Sequence, residues 1–363
     1  MNKIFSSATE LYRHLQKTIR TAVPENVVPD FELKYKAEQV FEINRLAEEK
    51  KVLILKHNYM EPILFYAVNG YKGDSLELSR KAAETEANTI IFCGVHFMAE
   101  TAKILNPSKK VLIPSLKAGC SLADGINSKD VKELKARFPG LPVVTYINST
   151  AETKAESDVC CTSGNVIKVI EWVLKKFRTK SLIFIPDKYM ARNIAAEKKM
   201  DVYIPKKDSN WDKKIDYANK STIISWDARC YVHEQYTVEH VKAIRKDYPR
   251  AIVLAHPECP PEGVKAADYS GSTSGMVDFV KKHGKNNKIG LLTECSMTNN
   301  ILTVFPQYTD NLIRMCNLRC RFMHMITLDQ LLDTLMLDIY PVEVPKKIRQ
   351  KAELSVRRMI TIN

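Results

Sequence analysis

KVLIPSLKAGC at residues 110–120, STIISWDARC at 221–230 and NLIRMCNLRC at 311–320 are three strand-like stretches that each end in a cysteine. Cys120, Cys230 and Cys320 recur at intervals of roughly one hundred residues, which marks a repeated module. Each stretch is preceded by the same series. A first apolar strand ends in polar side chains: KVLILKHNY from Lys51, VVTYINST from Val143 and AIVLAHPEC from Ala251. A serine-bearing turn and a helix follow, in GDSLELSRKAAE from Gly73, CTSGNVIKVIEWVLKK from Cys161 and GSTSGMVDFVKKH from Gly271. Then comes a second strand, TIIFCG at Thr89, SLIFIP at Ser181 and KIGLLT at Lys288. Strands alternating with helices predict parallel sheets.

The expected fold is α/β: three similar α/β/α sandwich modules with short parallel sheets, arranged around a pseudo-threefold axis. The expected divisions are a helical leader at 1–36, module one at 37–124, module two at 125–234, module three at 235–325, and closing helices at 326–363. Within these, periodicity predicts a helix over 37–50 and a final helix over 346–360. Right-handed crossovers put the strand C-terminal ends on one side of each sheet. Packed about one axis, the modules would turn three thiols and their polar strand ends toward a common centre, ringed by helix N-termini suited to phosphate and carboxylate groups.

Three thiols do not complete a tetrathiolate site. They suit a cubane iron–sulfur cluster with one iron left open, which acts as a Lewis acid. Zinc with three protein ligands and an open position meets the same count, with His233 or His256 joining. The other cysteines read differently. Cys93 lies inside a strand, Cys160 and Cys161 are adjacent, and Cys259 and Cys295 follow strands and are expected to line the cavity. Cys316 stands four residues before Cys320, a spacing that also fits a redox pair.

Composition narrows the partners. The chain has 363 residues and a net charge of +13, with the basic residues spread among element boundaries rather than gathered in a tail. That charge favours anionic small molecules or nucleic acid. The scattered Trp172, Trp211 and Trp226 do not form the stacking surface that a nucleic-acid binder needs. No apolar run reaches bilayer length, and MNKIFSSATELYRHLQKTIR reads as an amphipathic helix rather than a signal peptide. A cytoplasmic location is expected, with the cysteines free or metal-bound. The GNV and GST turns lack a nucleotide fingerprint.

The polar strand ends supply the candidate chemistry. His57 and Tyr59 share one face of the first strand in module one, and His256 and Glu258 repeat that spacing in module three. An imidazole beside a carboxylate can share acid and base work near neutral pH. Tyr146 and Asn148 are the corresponding pair in module two and suit hydrogen bonds to substrate carboxylates. Ser75, Ser163, Ser272 and Thr273 precede helices, where they would serve as N-caps or as anion donors. His233 follows Cys230 by three residues and is expected to support the cluster surroundings.

KHNYM at 56–60, GDS at 73–75, FCGVHFMAETAKILNP at 92–107, AGC at 118–120, TYINS at 145–149 and CTSGN at 161–165 form a longer series. It continues through WDARCYVHE at 226–234, HPEC at 256–259, GSTSGM at 271–276, TE at 293–294 and CRFM at 320–323. In these stretches, and over nearly its whole length, the chain resembles the quinolinate synthase A family. The resemblance implies three α/β modules that each give one thiolate to a [4Fe–4S] cluster, at Cys120, Cys230 and Cys320. It implies condensation of iminoaspartate with dihydroxyacetone phosphate to quinolinate, phosphate and water. Tyr59 would transfer protons, His57 would bind oxygen, Glu258 would be the general base and His256 its partner in binding substrate. Ser75, Ser163, Ser272 and Thr273 would hold the phosphate. Functional coupling to the enzyme that supplies iminoaspartate would follow, in a monomer or homodimer that binds neither nucleic acid nor membrane. His96 departs from the acidic residue often found there, and the Cys316–Cys320 spacing is wider than the redox pair of some relatives. An aconitase-like hydro-lyase acting on a hydroxyacid, or a basic nucleic-acid-binding protein with a structural metal, are the competing readings.

Overall fold

The three repeats fold into three parallel sheets, in a computed structural model that describes residues 5–205, 215–315 and 318–362. Module one contains β1 (Val52–His57), β2 (Tyr71–Gly73), β3 (Thr89–Cys93) and β4 (Lys110–Leu112), in the spatial order β2-β1-β3-β4. Module two contains β5 (Val143–Tyr146), β6 (Val159–Cys161), β7 (Leu182–Ile185), β8 (Asp201–Tyr203) and β9 (Thr222–Ser225), in the order β6-β5-β7-β9-β8. Module three contains β10 (Ile252–Ala255), β11 (Tyr269–Ser270), β12 (Ile289–Leu292) and β13 (Leu312–Ile313), in the order β11-β10-β12-β13. The order is the same in all three, with β8 added at one edge of the second sheet. Strands such as LIFI and IGLL are apolar throughout because helices bury both faces of a parallel sheet, and every residue of β5, β7 and β12 is buried.

The repeat extends to individual hydrogen bonds. Asp158 accepts from Val143 N at 2.8 Å, and Asp268 accepts from Val253 N at 2.8 Å. The turns after β1 and β10 match as well. His57 Nδ1 accepts from Tyr59 N at 3.2 Å, and His256 Nδ1 accepts from Glu258 N at 3.3 Å. The same local interactions thus present a histidine and the residue two further on in modules one and three.

Several expectations are corrected. The cysteines do not end the third strands. β4 stops at Leu112, β9 at Ser225 and β13 at Ile313, and each cysteine lies further along in a loop. In module one Pro114 follows closely, and proline has no N–H to continue a ladder. A short strand (β2, β6, β11) precedes each serine-bearing turn, in addition to the strands expected from the sequence. The helix expected over 37–50 spans Asp30–Glu49, so it starts inside the stretch read as leader, with Asp30 and Glu32 in its first turn. Cys316 and Trp211 lie outside the described residues.

The C-terminal helices tie the modules together. Leu328–Leu337 packs on Asp30–Glu49. Lys346–Thr361 packs on the helices Ala151–Ala155 and His96–Leu105, spanning modules one and two. Its Arg358 donates to Asp158 O at 2.6 Å and lies over the Trp172 ring, so this basic residue is engaged inside the fold.

Gly70 is required at the turn between β1 and β2. Its φ is +138°, and an added Cβ would fall 2.3 Å from the Ile54 carbonyl oxygen of β1. Gly70→Ala therefore strains the backbone and collides with a core strand. We expect a loss of about 2–4 kcal/mol in urea unfolding. A loss below about 0.5 kcal/mol would contradict this packing.

Candidate active site

The three cysteine loops are built alike. The carbonyl of Cys120 accepts from Asp124 N at 2.9 Å, that of Cys230 from Glu234 N at 2.9 Å, and that of Cys320 from His324 N at 3.1 Å. In each loop the sulfur also accepts a backbone N–H from three residues on: Ala123, His233 or Met323. The loops are joined to one another. Ser121 Oγ donates to Arg229 O at 3.2 Å, and Arg321 N donates to Tyr231 OH at 2.5 Å. Burial pushes the Cys120 thiol up to about 12 and raises Cys230 and Cys320 as well. These groups stay protonated at neutral pH unless a cation takes the place of the proton.

All three thiols line one cavity that draws residues from every module. Of the residues predicted from sequence, His57, Tyr59, Ser75, Tyr146, Asn148, Ser163, His256, Glu258 and Thr273 also line it. Ser272 does not. It caps the helix Thr273–His283 by accepting from Gly275 N at 3.1 Å. Ser75 is not the cap of its helix either: Asp74 fills that place in a capping box with Glu77. The signal for this was present, because Asp74 and Glu77 in GDSLE carry the capping-box spacing. Ser163 lies two residues before the helix boundary, where Asn165 takes the cap position and receives Thr162 N at 2.9 Å. Cys259 and Cys295 do not line the cavity. The Cys259 thiol points into the core and donates to Leu292 O at 3.4 Å, and Cys295 accepts from Arg319 Nε at 3.4 Å.

Glu258 is the hub of the polar wall. Its Oε2 is 2.9 Å from His233 Nδ1, while its Oε1 accepts from Tyr146 OH at 2.6 Å and from Asn148 Nδ2 at 3.4 Å. Burial works against its charge, but the adjacent His233, His256 and the Tyr146 hydroxyl outweigh burial and hold the carboxyl down at about 2. His233 continues the network on its other side. Its Nε2 is 3.0 Å from Thr293 Oγ1, which is 2.6 Å from the Tyr59 hydroxyl. Read from its spacing alone, His233 has only a supporting place. Its position three residues after Cys230 becomes central because the short helix His233–Gln235 turns it back toward Glu258. Thr293 and Glu294 were also not assigned roles; Glu294 accepts from Cys320 N at 3.3 Å and so fixes the third cysteine loop.

Tyr59 and Tyr146 are buried, and burial raises both phenols well above their ordinary range, so both stay protonated at neutral pH and can donate hydrogen bonds. Burial lowers His57 and His256 to about 3, which leaves them neutral. Unfolding exposes these imidazoles and restores an ordinary affinity near 6.5. Their contribution to stability is therefore complete above about pH 6.5 and is lost as pH falls toward 3. Glu258 acts in the same direction below about pH 4.5. In the metal-free protein we expect unfolding free energy to fall by up to about 1.4 kcal/mol per pH unit for each histidine over this window. His57→Gln with His256→Gln should flatten the slope. An unchanged slope in the double variant would rule out this origin.

Cys230, His233 and Glu258 bring ligand atoms within 4.8 Å of one another, a spacing for a single metal ion. The three thiols, one from each module, line the same cavity. The described residues contain no helix long and apolar enough to cross a membrane.

Buried acids, bases and thiols converging on one cavity in a three-module α/β chain define an enzyme rather than a binding scaffold. The chain belongs to the quinolinate synthetase A family: residues 41–361 match the family described as NadA, quinolinate synthetase A protein. It is 44% identical over 340 residues to a quinolinate synthase of Caulobacter vibrioides, covering 94% of this chain and 86% of that protein. It is 42% identical over 362 residues to quinolinate synthase 2 of Mesorhizobium japonicum, covering 100% of both. A quinolinate synthase of Xylella fastidiosa is 42% identical over 325 residues, covering 90% of this chain and 86% of its own length.

Proposed function

We propose that this chain condenses iminoaspartate with dihydroxyacetone phosphate to quinolinate, phosphate and water, with a [4Fe–4S] cluster held by Cys120, Cys230 and Cys320. The observation that carries the reading is the joining of three identically built cysteine loops to a single acid–base network around one cavity. The donor set fits the cluster: three soft thiols, each with a backbone N–H aimed at its sulfur, and no fourth thiol lining the cavity among the described residues. When bound, the cluster would supply a Lewis-acidic iron that activates an oxygen leaving group.

The chain's own residues handle the protons. Ionised Glu258 is the acceptor, but with three donors on its two oxygens it is a weak base in the free enzyme. Tyr146 and Asn148 both give their hydrogen bonds to Oε1. A substrate carboxylate that takes over these two donors frees Oε1 and raises its basicity at the moment of binding. Tyr59, protonated and linked through Thr293 and His233 to Glu258, is placed to return a proton to the departing oxygen. His57 and His256, neutral and buried, offer ring N–H groups to substrate oxygens without introducing charge. Ser75, Ser163 and Thr273 hold the phosphate where the serine turns of the three modules meet, and Ser272 supports that site from behind.

The phosphorylated substrate distinguishes this reading from a hydro-lyase acting on a hydroxyacid. Anaerobic enzyme given both proposed substrates should release quinolinate and phosphate in equal amounts. Turnover of a hydroxyacid without phosphate release would replace the reading. The reading places the protein in the cytoplasm, as a monomer or homodimer served by a neighbouring source of iminoaspartate.

A further inference from the structure

Glu258 sits on a loop of module three, yet part of its support comes from module two. The helix Lys188–Lys198 follows β7 and packs against the helix Pro261–Ala266 just beyond Glu258. Its half-buried Asn193 extends one amide across the boundary. Asn193 Nδ2 donates to Pro257 O at 2.8 Å and to Cys259 O at 2.9 Å. These carbonyls flank Glu258 on both sides, so one side chain spans the peptide unit that carries the carboxylate.

Within module three the loop is fixed from the opposite side. Cys259 N donates to His256 O at 2.9 Å, and the Cys259 thiol donates to Leu292 O. The Asn193 helix is itself anchored. Its N-cap, fully buried Asp187, accepts from Tyr189 N at 2.8 Å and from Met190 N at 3.0 Å. The other Asp187 oxygen is buried without a partner, and burial followed by the nearby Glu258 charge raises this carboxyl well above its usual range. A neutral Asp187 avoids setting a second negative charge behind the base.

We propose that Asn193 is a positioning residue for Glu258, which makes the orientation of the base depend on the contact between modules two and three. The proposal rests on Glu258 being the base, as above. An amide is needed because two carbonyls require two N–H donors from one atom. An aspartate at this position would turn both contacts into repulsions, and a leucine would leave both carbonyls unbonded. Either change lets Oε1 and Oε2 drift from Tyr146 and His233.

The test compares Asn193→Leu, Asn193→Asp and Asn193→Gln with wild type and with Arg192→Ala, an exposed neighbour on the same helix, in the cluster-loaded enzyme. We expect kcat to fall about 10–100-fold in the Leu and Asp variants, with KM within about 3-fold, iron per chain unchanged, and the acid limb of the kcat/KM profile moved. Asn193→Gln should recover part of the loss. In a Glu258→Gln background, Asn193→Leu should add less than about 2-fold, because the group being oriented is gone. Three results overturn the inference: an unchanged kcat, a loss that tracks lost iron or a lowered melting temperature, or a full additional loss in the Glu258→Gln background. If Glu258→Gln alone leaves activity intact, the assignment of the base fails. If only the Asn193 variants behave as wild type, the base stands and the positioning role falls.

Discussion

Glu258→Gln is expected to lower kcat by about a thousandfold while leaving iron content and KM nearly unchanged, within the range seen for loss of a general base. The substitution keeps the volume of a residue that is 3% exposed, so the cavity should not collapse. It changes the hydrogen-bond logic instead. Glu258 Oε1 accepts from Tyr146 and Asn148, and Oε2 lies 2.9 Å from His233 Nδ1. A neutral amide has one acceptor where the carboxylate has two, and its NH₂ would oppose another donor. Proton acceptance is lost and the alignment of His233 with it. Among the described residues Glu258 touches the cysteine loops only through the His233 side chain, while the backbone N–H of His233, not its imidazole, reaches the Cys230 sulfur, so cluster content should survive. A variant retaining more than about a tenth of wild-type kcat would exclude a base role, since general base catalysis supplies at least about a hundredfold.

The second large effect is expected from Tyr59→Phe, which removes one hydroxyl and keeps the ring. Thr293 and His233 remain in contact at 3.0 Å without it, so the cost to stability should stay near 1 kcal/mol. The raised affinity keeps this buried phenol protonated at neutral pH, so it holds a proton that a strongly basic departing oxygen can take, and phenylalanine has none. We expect kcat to fall about a hundredfold. A larger fall in kcat/KM than in kcat would instead mark Tyr59 as a binding group. A variant with kcat within threefold of wild type would remove Tyr59 from proton transfer.

The modular architecture was legible because repetition amplifies a weak local signal. One apolar run ending in His57 is ambiguous, but the same run ending in Asn148 and Glu258 fixes both the module and the direction of its polar end. Strand limits were less legible. An apolar tail such as VLIPSL reads as a continuing strand, although Pro114 blocks the ladder, and the cysteine loops curl back only through tertiary contacts such as those from Ser121 to Arg229 and from Tyr231 to Arg321. Side-chain direction was the other limit. Cys259 directly follows Glu258, yet one faces the core and the other the cavity. The place of His233 depends on where β10 brings Glu258, and nothing in the local sequence around Cys230 encodes that distance. Asp74 was readable from its capping box, but Ser75 beside it carried the stronger apparent chemistry.

The most direct test is the iron and acid-labile sulfide content of anaerobically prepared protein, read with its visible spectrum, for wild type and for Cys120→Ser, Cys230→Ser and Cys320→Ser. Three convergent thiolates predict about four irons and four sulfides per wild-type chain, as in a [4Fe–4S] cluster, with brown absorption, and a marked loss in each single variant. One zinc per chain with no visible colour, or a cysteine variant that keeps the full complement, would contradict it.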